Sequence, residues 1–165
     1  MVRPVGGHLA AYDEGALTLH LLAPHRDPRA GLRDRFRAFA AAFAGTLQGL
    51  GVEARVGPVP GEYCDGAFSV NLAGRAKLLG TGQRVVRGGY LFSAVLMVEV
   101  PGRARAAMVD AYCDLGLPFD PATVGCLTDG LPTVSWAAAR DLVLDTLASL
   151  VTISECGVTS PVRGS

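Results

Sequence analysis

Residues 67–100 read AFSVNLAGRAKLLGTGQRVVRGGYLFSAVLMVEV, and this run decides the fold class of a chain of 165 residues. It contains three strand-like segments: AFSVNL, AKLLGTGQRVV and GGYLFSAVLMVEV. Only AGR and RGG stand at the joins between them. Such short connections join neighbouring antiparallel strands, because parallel strands need a crossover of about a dozen residues or more. The run therefore predicts an antiparallel meander.

The segment before this meander has the period of a helix. Apolar residues recur at three- and four-residue steps between Leu32 and Leu50, and most of the local arginines lie off that stripe. Gly49 and Gly51 end the pattern, as glycines commonly end helices. We therefore expect an amphipathic helix packed on the sheet, with its phenylalanines in the core rather than lining a ligand pocket.

The remaining segments complete an α+β domain. Strands are predicted for ALTLHLL (16–22) and VEARVG (52–57), and a helix for about 102–115. A loop rich in proline and glycine follows at 116–133, and Ser135 begins a third helix in SWAAARDLVLDTLASL. The predicted fold is a mostly antiparallel sheet with helices packed on one face.

Composition narrows the classes of function. Acidic and basic residues number 15 each and are interspersed, so no basic surface for nucleic acid or anionic lipid is expected. No apolar run approaches bilayer length and the amino terminus lacks a signal-peptide core, so we expect a cytoplasmic protein. The cysteines lack a zinc-binding spacing, so no metal site is expected. A reducing compartment would leave them as thiols, so no disulfide is expected either. They are Cys64, Cys113, Cys126 and Cys156.

Lys77 is the first candidate for chemistry because it is the only lysine beside fourteen arginines. This imbalance suggests a site that accepts a compact ammonium but not a wide guanidinium. The hairpin predicted around AGR brings the loop GEYCDGAF, which carries Cys64, toward the strand of Lys77. An ammonium there would favour a thiolate and stabilise an oxyanion, which makes the two residues a candidate acyl-transfer pair. From the residues alone, a buried apolar cysteine and a solvent-facing lysine remain alternatives.

Two motifs resemble those of a known enzyme family. The segment VRPVGGHLAAYDEGALTLHLL resembles the substrate loop of the lipoate and biotin protein ligase superfamily. The segment EYCDGAFSVNLAGRAKLLGTGQRVVRGGYL resembles a run in the branch of octanoyl-[glycine cleavage H protein] N-octanoyltransferases and lipoate-protein ligases. In that branch the run consists of Tyr-Cys-Pro-Gly, a strand, and Gly-Lys-x-x-Gly-x-x-Gln-Arg. This sequence departs from it at Asp65, which stands in place of the proline, and at Ala76, which precedes Lys77. In the first motif, Val5 replaces a small hydroxyl residue before the glycine pair. TVGCLTD and the following helix extend the resemblance over most of the chain.

The resemblance implies a domain and a set of site residues. It implies a class II synthetase-like or biotin ligase-like catalytic domain over residues 1–153, partial at its amino end, with a flexible tail at 154–165. Cys64 would be the acyl-accepting nucleophile, with Lys77 beside the acyl carbonyl, whereas Cys126 does not match the nucleophile. The implied acyl- or substrate-binding residues are Arg3, Gly6, Gly7, His8, Gly80 and Thr81.

The implied function is transfer of an octanoyl or lipoyl group to a lysine of a lipoyl-domain protein through a cysteine thioester, without a cofactor. One alternative is an ATP-dependent lipoate-protein ligase that acts through an acyl-adenylate. Another is a non-catalytic module that binds acyl carriers. The implied partners are lipoyl-domain proteins, such as glycine cleavage H protein or 2-oxoacid dehydrogenase E2, with no nucleic acid or membrane partner. An uncovered sheet edge would favour a homodimer.

Overall fold

A computed structural model describes residues 7–100 and 102–156. The strands are β1 (Ala16–Pro24), β2 (Ala54–Val56), β3 (Val70–Leu72), β4 (Ala76–Val86) and β5 (Gly89–Met97). The helices are α1 (Leu32–Gly49), α2 (Gly102–Asp114), α3 (Leu127–Gly130) and α4 (Trp136–Cys156), with a 3-10 turn at Pro121–Thr123. All strand pairs are antiparallel in the order β1-β5-β4-β3-β2, so the predicted α+β class and the β3-β4-β5 meander are confirmed.

Helices α1 and α4 cover one face of the sheet. The register places Leu17 of β1, Leu96 of β5 and Leu79 of β4 in one row across that face. Phe39 and Phe43 of α1 are buried against this layer, and α4 packs beside α1. The prediction that the α1 phenylalanines are core residues is confirmed for these two, because the apolar stripe of the helix faces the sheet.

A second, smaller core lies on the opposite face, at one end of the sheet. Met97 points away from the face of Leu96 because side chains alternate along a strand. It packs with Met108 and Tyr112 of α2 and with Tyr63 of the loop before β3. The predicted placement of helices on one face therefore holds for α1 and α4, whereas α2 helps to hold the loop that carries Cys64.

An extra residue in β4 changes the face to which Lys77 points. Val70 of β3 pairs with Leu79, but the next residue, Asn71, pairs with Lys77, which leaves Leu78 as an extra residue. Leu78 and Leu79 are both fully buried in the main core, so the alternation is interrupted at this bulge. Lys77 consequently lies on the face opposite the main core.

Several boundaries differ from the sequence-based expectation. Only Val70–Leu72 of AFSVNL is paired as a strand, and the loop predicted at 116–133 contains the 3-10 turn and α3. Helix α4 continues to Cys156, and residues 157–165 of the predicted tail lie outside the described residues, so the domain division stays a prediction. Strands β1 and β2 form the sheet edges, and an edge-to-edge homodimer also stays a prediction. Within 7–100 and 102–156, no helix combines the length and apolar character needed to cross a membrane.

Candidate active site

The Lys77 side chain is buried, with 2% of its surface exposed. Its ammonium donates hydrogen bonds to the backbone carbonyl oxygens of Tyr63 at 3.1 Å and Cys64 at 2.8 Å. It also lies 4.8 Å from the centre of the Tyr63 ring, within the range of a cation–π contact. The structure thus contradicts the solvent-facing alternative for this lysine and ties its charge to the loop of Cys64.

The surroundings of Lys77 act on its charge in opposite directions. Burial lowers the pKa of Lys77, since removing an ammonium from water disfavours its charged form. The nearby Glu62, Cys64 and Asp65 oppose that effect and raise it, but burial is the larger cause. An ammonium in such a site is screened by less water than a surface lysine, so its field acts more strongly on a neighbouring oxyanion.

Cys64 occupies a strained position that hydrogen bonds hold from two sides. Its φ of 43° lies in the left-handed region, which costs a non-glycine residue about 1–3 kcal/mol. Its backbone N–H donates to the Tyr112 hydroxyl at 2.6 Å, and that hydroxyl donates to the Leu9 carbonyl at 2.8 Å. Its own carbonyl accepts from Lys77. The side chain is partly exposed as a result, on the wall of a cleft.

Replacing Tyr112 with phenylalanine is expected to destabilise the fold. The change leaves the Cys64 N–H and the Leu9 carbonyl without this partner, at a cost of about 2 kcal/mol. The thermal midpoint of a domain of this size should fall by roughly 4–8 °C. Calorimetry of Tyr112→Phe beside Tyr12→Phe, which alters an exposed ring, measures the difference. Equal midpoints in the two variants would show that the bridge does not stabilise the loop.

Two cavities meet at Cys64 and Lys77. The first, called here the α1 cavity, has a volume of about 340 Å³ and separates the amino-terminal turn of α1 from the loop after Cys64. The second, called the apolar cavity, has a volume of about 280 Å³ and lies on the sheet face opposite α1. Both are also lined by Thr81 and Gly82. A group bound at Cys64 is therefore reached from both faces of the sheet.

The apolar cavity combines a hydrocarbon wall with polar side chains that include His20 and Ser93. Its apolar wall is formed by Ala10, Ala11, Tyr12, Val95 and Met97. His20 Nδ1 and Ser93 Oγ lie 2.9 Å apart within the lining. The β4 wall extends over five residue steps from Lys77 to Gly82, at most about 17 Å at a rise of roughly 3.3 Å per residue. This shape suits an extended aliphatic chain with its carbonyl at Lys77.

Gly80 lies beside Lys77 on the wall of the apolar cavity. A Cβ added at Gly80 would lie 3.2 Å from Lys77 Cε, closer than most Cβ contacts. The pairing of β4 with β5 is regular through Gly80 and Gly82, and the bulge of β4 lies at Leu78, on the side of β3. Glycine at position 80 therefore leaves room for the Lys77 side chain.

The other predicted site residues are distributed around the same loop. Gly7 and Thr81 line the α1 cavity, and Thr81 also lines the apolar cavity. His8 Nδ1 lies 3.7 Å from Asp65 Oδ1 on the exposed side of the loop. Arg3 and Gly6 lie outside the described residues, and their predicted contribution stays a prediction.

Two further cysteines lie away from this cleft. Cys113 is exposed on α2. Cys126 is buried at the start of α3, where burial raises the pKa of its thiol and Thr128 Oγ1 lies 3.2 Å from its sulfur. A raised pKa disfavours the thiolate that a nucleophile needs. Among the described residues, no group of three or more His, Cys, Asp or Glu side chains is placed to hold a metal ion.

Sequence reasoning missed Glu62, Tyr63 and Tyr112 as parts of the site. Glu62 is buried and its Oε1 lies 3.7 Å from the Lys77 ammonium. A charged residue in a loop rich in proline and glycine is usually exposed, so its type gives no signal of burial. Tyr112 is far along the chain from Cys64, and only its position among the apolar residues of α2 marks it as buried.

Comparisons with known proteins identify a family for this chain. The model of the lipoyl protein ligase A/B catalytic domain matches residues 1–148. An octanoyl-[GcvH]:protein N-octanoyltransferase from Geobacillus kaustophilus is 31% identical over 134 residues, which cover 81% of this chain and 47% of that protein. The chain therefore spans about half the length of this curated relative.

Solved structures share the fold at low identity. A putative lipoate protein ligase from T. acidophilum with bound lipoic acid has a TM-score of 0.67 and 20% identity, covering 90% of this chain and 56% of that one. A lipoate-protein ligase A bound with ATP has a TM-score of 0.67 and 20% identity, with 91% and 57% covered. With the match of the catalytic-domain model over residues 1–148, these likenesses lead to one conclusion: the chain belongs to the lipoyl protein ligase A/B catalytic domain family.

Proposed function

We propose that this protein transfers an octanoyl or lipoyl group to a lysine of a lipoyl-domain protein through a thioester on Cys64. The observation that carries the proposal is the hydrogen bond of 2.8 Å from the Lys77 ammonium to the carbonyl of Cys64. It holds the only lysine of the chain beside the thiol that lines both cavities. The likeness to an octanoyl-[GcvH]:protein N-octanoyltransferase supports octanoylated GcvH as the donor.

In the first half-reaction, the Cys64 sulfur attacks the acyl carbonyl of the donor amide. The C–S bond forms, negative charge collects on the carbonyl oxygen, and the Lys77 ammonium stabilises this oxyanion. Two of the ammonium protons are engaged by the carbonyls of Tyr63 and Cys64. We assign the third to the acyl oxygen, since Glu62 Oε1, at 3.7 Å from Lys77 Nζ, is beyond hydrogen-bond range. The C–N bond then breaks, and the thiol proton ends on the amine of the donor lysine.

In the second half-reaction, the amine of the acceptor lysine attacks the thioester. The C–N bond forms, the C–S bond breaks, and the amine proton returns to the Cys64 thiol. The Lys77 ammonium stabilises the oxyanion of this step as well, so one site serves both half-reactions. No nucleotide enters either half-reaction, since the donor amide already carries the acyl group.

The apolar cavity is the proposed site of the acyl chain. Its wall from Lys77 to Gly82 runs along β4, and Met97 and Val95 of β5 supply its apolar floor. Burial of each methylene contributes about 0.8 kcal/mol, so a chain of eight carbons binds far better than acetate would. The α1 cavity then remains as the approach to Cys64 for the lysine of a donor or acceptor protein.

Mapping of the acyl group tests the proposal. The protein is mixed with octanoylated H protein in the absence of acceptor, digested at mildly acidic pH, and the thioester is located by mass spectrometry. We expect the octanoyl group on Cys64, and its loss on treatment with neutral hydroxylamine or with an apo lipoyl domain. Cys113, Cys126 and Cys156 are the internal controls, since they share the digest.

Other outcomes would contradict the thioester on Cys64. An octanoyl group on a different cysteine would move the nucleophile away from the Lys77 loop. Pyrophosphate release from ATP in the presence of free lipoate would identify a ligase. Stoichiometric binding of the acylated domain, without a thioester and without transfer, would identify a non-catalytic module.

A further inference from the structure

Glu62 is a buried carboxylate that none of the steps above uses. Its residue is 4% exposed, and its Oε1 accepts hydrogen bonds from the Gly66 N–H at 3.0 Å and the Ser69 hydroxyl at 2.8 Å. The same oxygen lies 3.7 Å from Lys77 Nζ. Its Oε2 is buried and has no hydrogen-bond partner among the described residues. A buried polar atom of this kind calls for a physical reason.

The charge of Lys77 gives a reason for the burial of the Glu62 carboxylate as a whole, through Oε1. A buried ammonium is costly unless an opposite charge lies close to it. The Glu62 carboxylate lies 3.7 Å from the ammonium. Both side chains are almost fully buried, so water does not screen the ion pair. The Tyr63 and Cys64 carbonyls orient the ammonium, but they carry no net charge. Among the described residues, Glu62 is thus the buried carboxylate beside this ammonium.

The other titratable groups around the ammonium are more distant or more exposed. Asp65 is the last-ranked of the groups that raise the pKa of Lys77, and its side chain is 74% exposed, with its Oδ1 3.7 Å from His8 Nδ1. The other titratable groups that line the cavities are Tyr12, Tyr63, Cys64, His20 of β1 and Arg33 of α1, and Tyr112 of α2 contacts the loop. A change at Glu62 should therefore act on Lys77 more than a change at these groups.

We propose that Glu62 is a positioning residue that holds the Lys77 ammonium charged and directed at Cys64, and so sets the upper pH limit of acyl transfer. This inference rests on the proposed function for its kinetic part. Gly66 and Ser69 fix the carboxylate, the carboxylate balances the ammonium, and the ammonium is held against the Cys64 carbonyl. Glu62 acts through Lys77 and does not touch the acyl group.

Glu62→Gln separates the charge from the hydrogen bonds. Glutamine has the same shape, and its Oε1 accepts the same bonds from the Gly66 N–H and the Ser69 hydroxyl. Only the negative charge next to Lys77 is lost. If Glu62 served the loop solely as a hydrogen-bond acceptor, this variant would keep the parental dependence on pH, whatever its rate.

The single lysine makes the direct measurement simple. In protein labelled with [13C]lysine, the Cε resonance of Lys77 is the only lysine signal, and its titration reports the charge of the ammonium. We expect Glu62→Gln to lower the pH of half-titration by at least about one unit, because loss of a neighbouring opposite charge disfavours the charged amine. Glu99→Gln, the same change at an exposed carboxylate, should leave the Lys77 titration where it is in the parent.

Transfer rates supply the second readout. Because the ammonium acts only while protonated, the rate should fall as pH rises through the Lys77 titration. In Glu62→Gln this fall should begin at lower pH, displaced by the same interval as the Cε titration. An unchanged Lys77 titration in folded Glu62→Gln would overturn the inference, and so would a displaced titration with an unmoved rate profile.

The parent protein provides a test if Glu62→Gln does not fold. The Glu62 carboxyl carbon should then show a second inflection at the pH where the Lys77 Cε titrates, and two independent titrations would contradict the pairing. The measurements also separate this inference from the proposed function. Absence of transfer in the parent, with Lys77 and Glu62 titrating together, refutes the transferase and leaves the charge pair standing.

Discussion

Cys64→Ser is expected to reduce acyl transfer by at least about a thousandfold, the scale of loss seen when a covalent nucleophile is removed. Serine keeps the size of the side chain, but its hydroxyl ionises far less readily than a thiol. A serine nucleophile would need a general base, which a thiol nucleophile does not require. The Lys77 ammonium can stabilise an oxyanion, but it does not deprotonate an alcohol. Transfer from octanoylated H protein to an apo lipoyl domain, followed by mass spectrometry, measures the loss.

Cys113→Ser is the matched control for this variant. Cys113 is exposed on α2, and the same atom replacement there should leave the transfer rate within about a factor of two, as surface changes generally do. The thermal midpoints of the two variants should agree closely, because serine at position 64 preserves the backbone bonds to Tyr112 and Lys77. Transfer by Cys64→Ser at the rate of the control would rule out the thioester route.

Lys77→Arg is expected to lower transfer by about a hundredfold, comparable to removal of one oxyanion donor. The substitution keeps a positive charge, so a loss must come from the shape of the cation. The ammonium lies in a space bounded by the Tyr63 ring and by Gly80. A planar guanidinium is wider than an ammonium, so we expect it to displace these neighbours and to move the charge away from the acyl carbonyl. Overpacking of this kind also costs about 1–3 kcal/mol of stability.

Arg75→Lys is the reciprocal control for the lysine variant. Arg75 is exposed in the turn between β3 and β4, two residues from Lys77. This swap should change neither the rate nor the midpoint appreciably. Rates of the two variants are compared at a temperature below both thermal midpoints, so that a lower stability of Lys77→Arg does not count as a lower rate. A parental rate in folded Lys77→Arg would remove the oxyanion role from this residue.

The fold was predictable from periodicity and from the short joins. The α1 stripe that contains Phe39 and Phe43 has the helical period, and AGR is too short for anything but an antiparallel hairpin. Helix α3 was not predictable, because its four residues are too few to show a period among prolines and glycines. The place of α2 was missed as well, since which face of a sheet a helix covers depends on contacts far apart in sequence.

The candidate site was predictable only in part. Residue type and spacing single out Lys77 and Cys64, and the hairpin geometry places them at one cleft. Glu62 was not predictable, since its burial depends on the Gly66 N–H, the Ser69 hydroxyl and the lysine closing around it. Tyr112 joins the loop only after α2 has docked on the second core. In both cases the sequence does not show which residues pack together in the folded protein.

The extra leucine in β4 decides which side chains of this strand lie on the same face of the sheet. In a strand of strict alternation, residues 77 and 80 would point to opposite faces, and the ammonium would enter the apolar layer beneath α1. With Leu78 inserted, the lysine and the glycine gap share one face. Any relative or design that copies the lysine, the glycine and the cysteine into a regular hairpin would carry all three residues and still separate them. An irregularity of one residue is thus as much a part of the site as the side chains that it brings together.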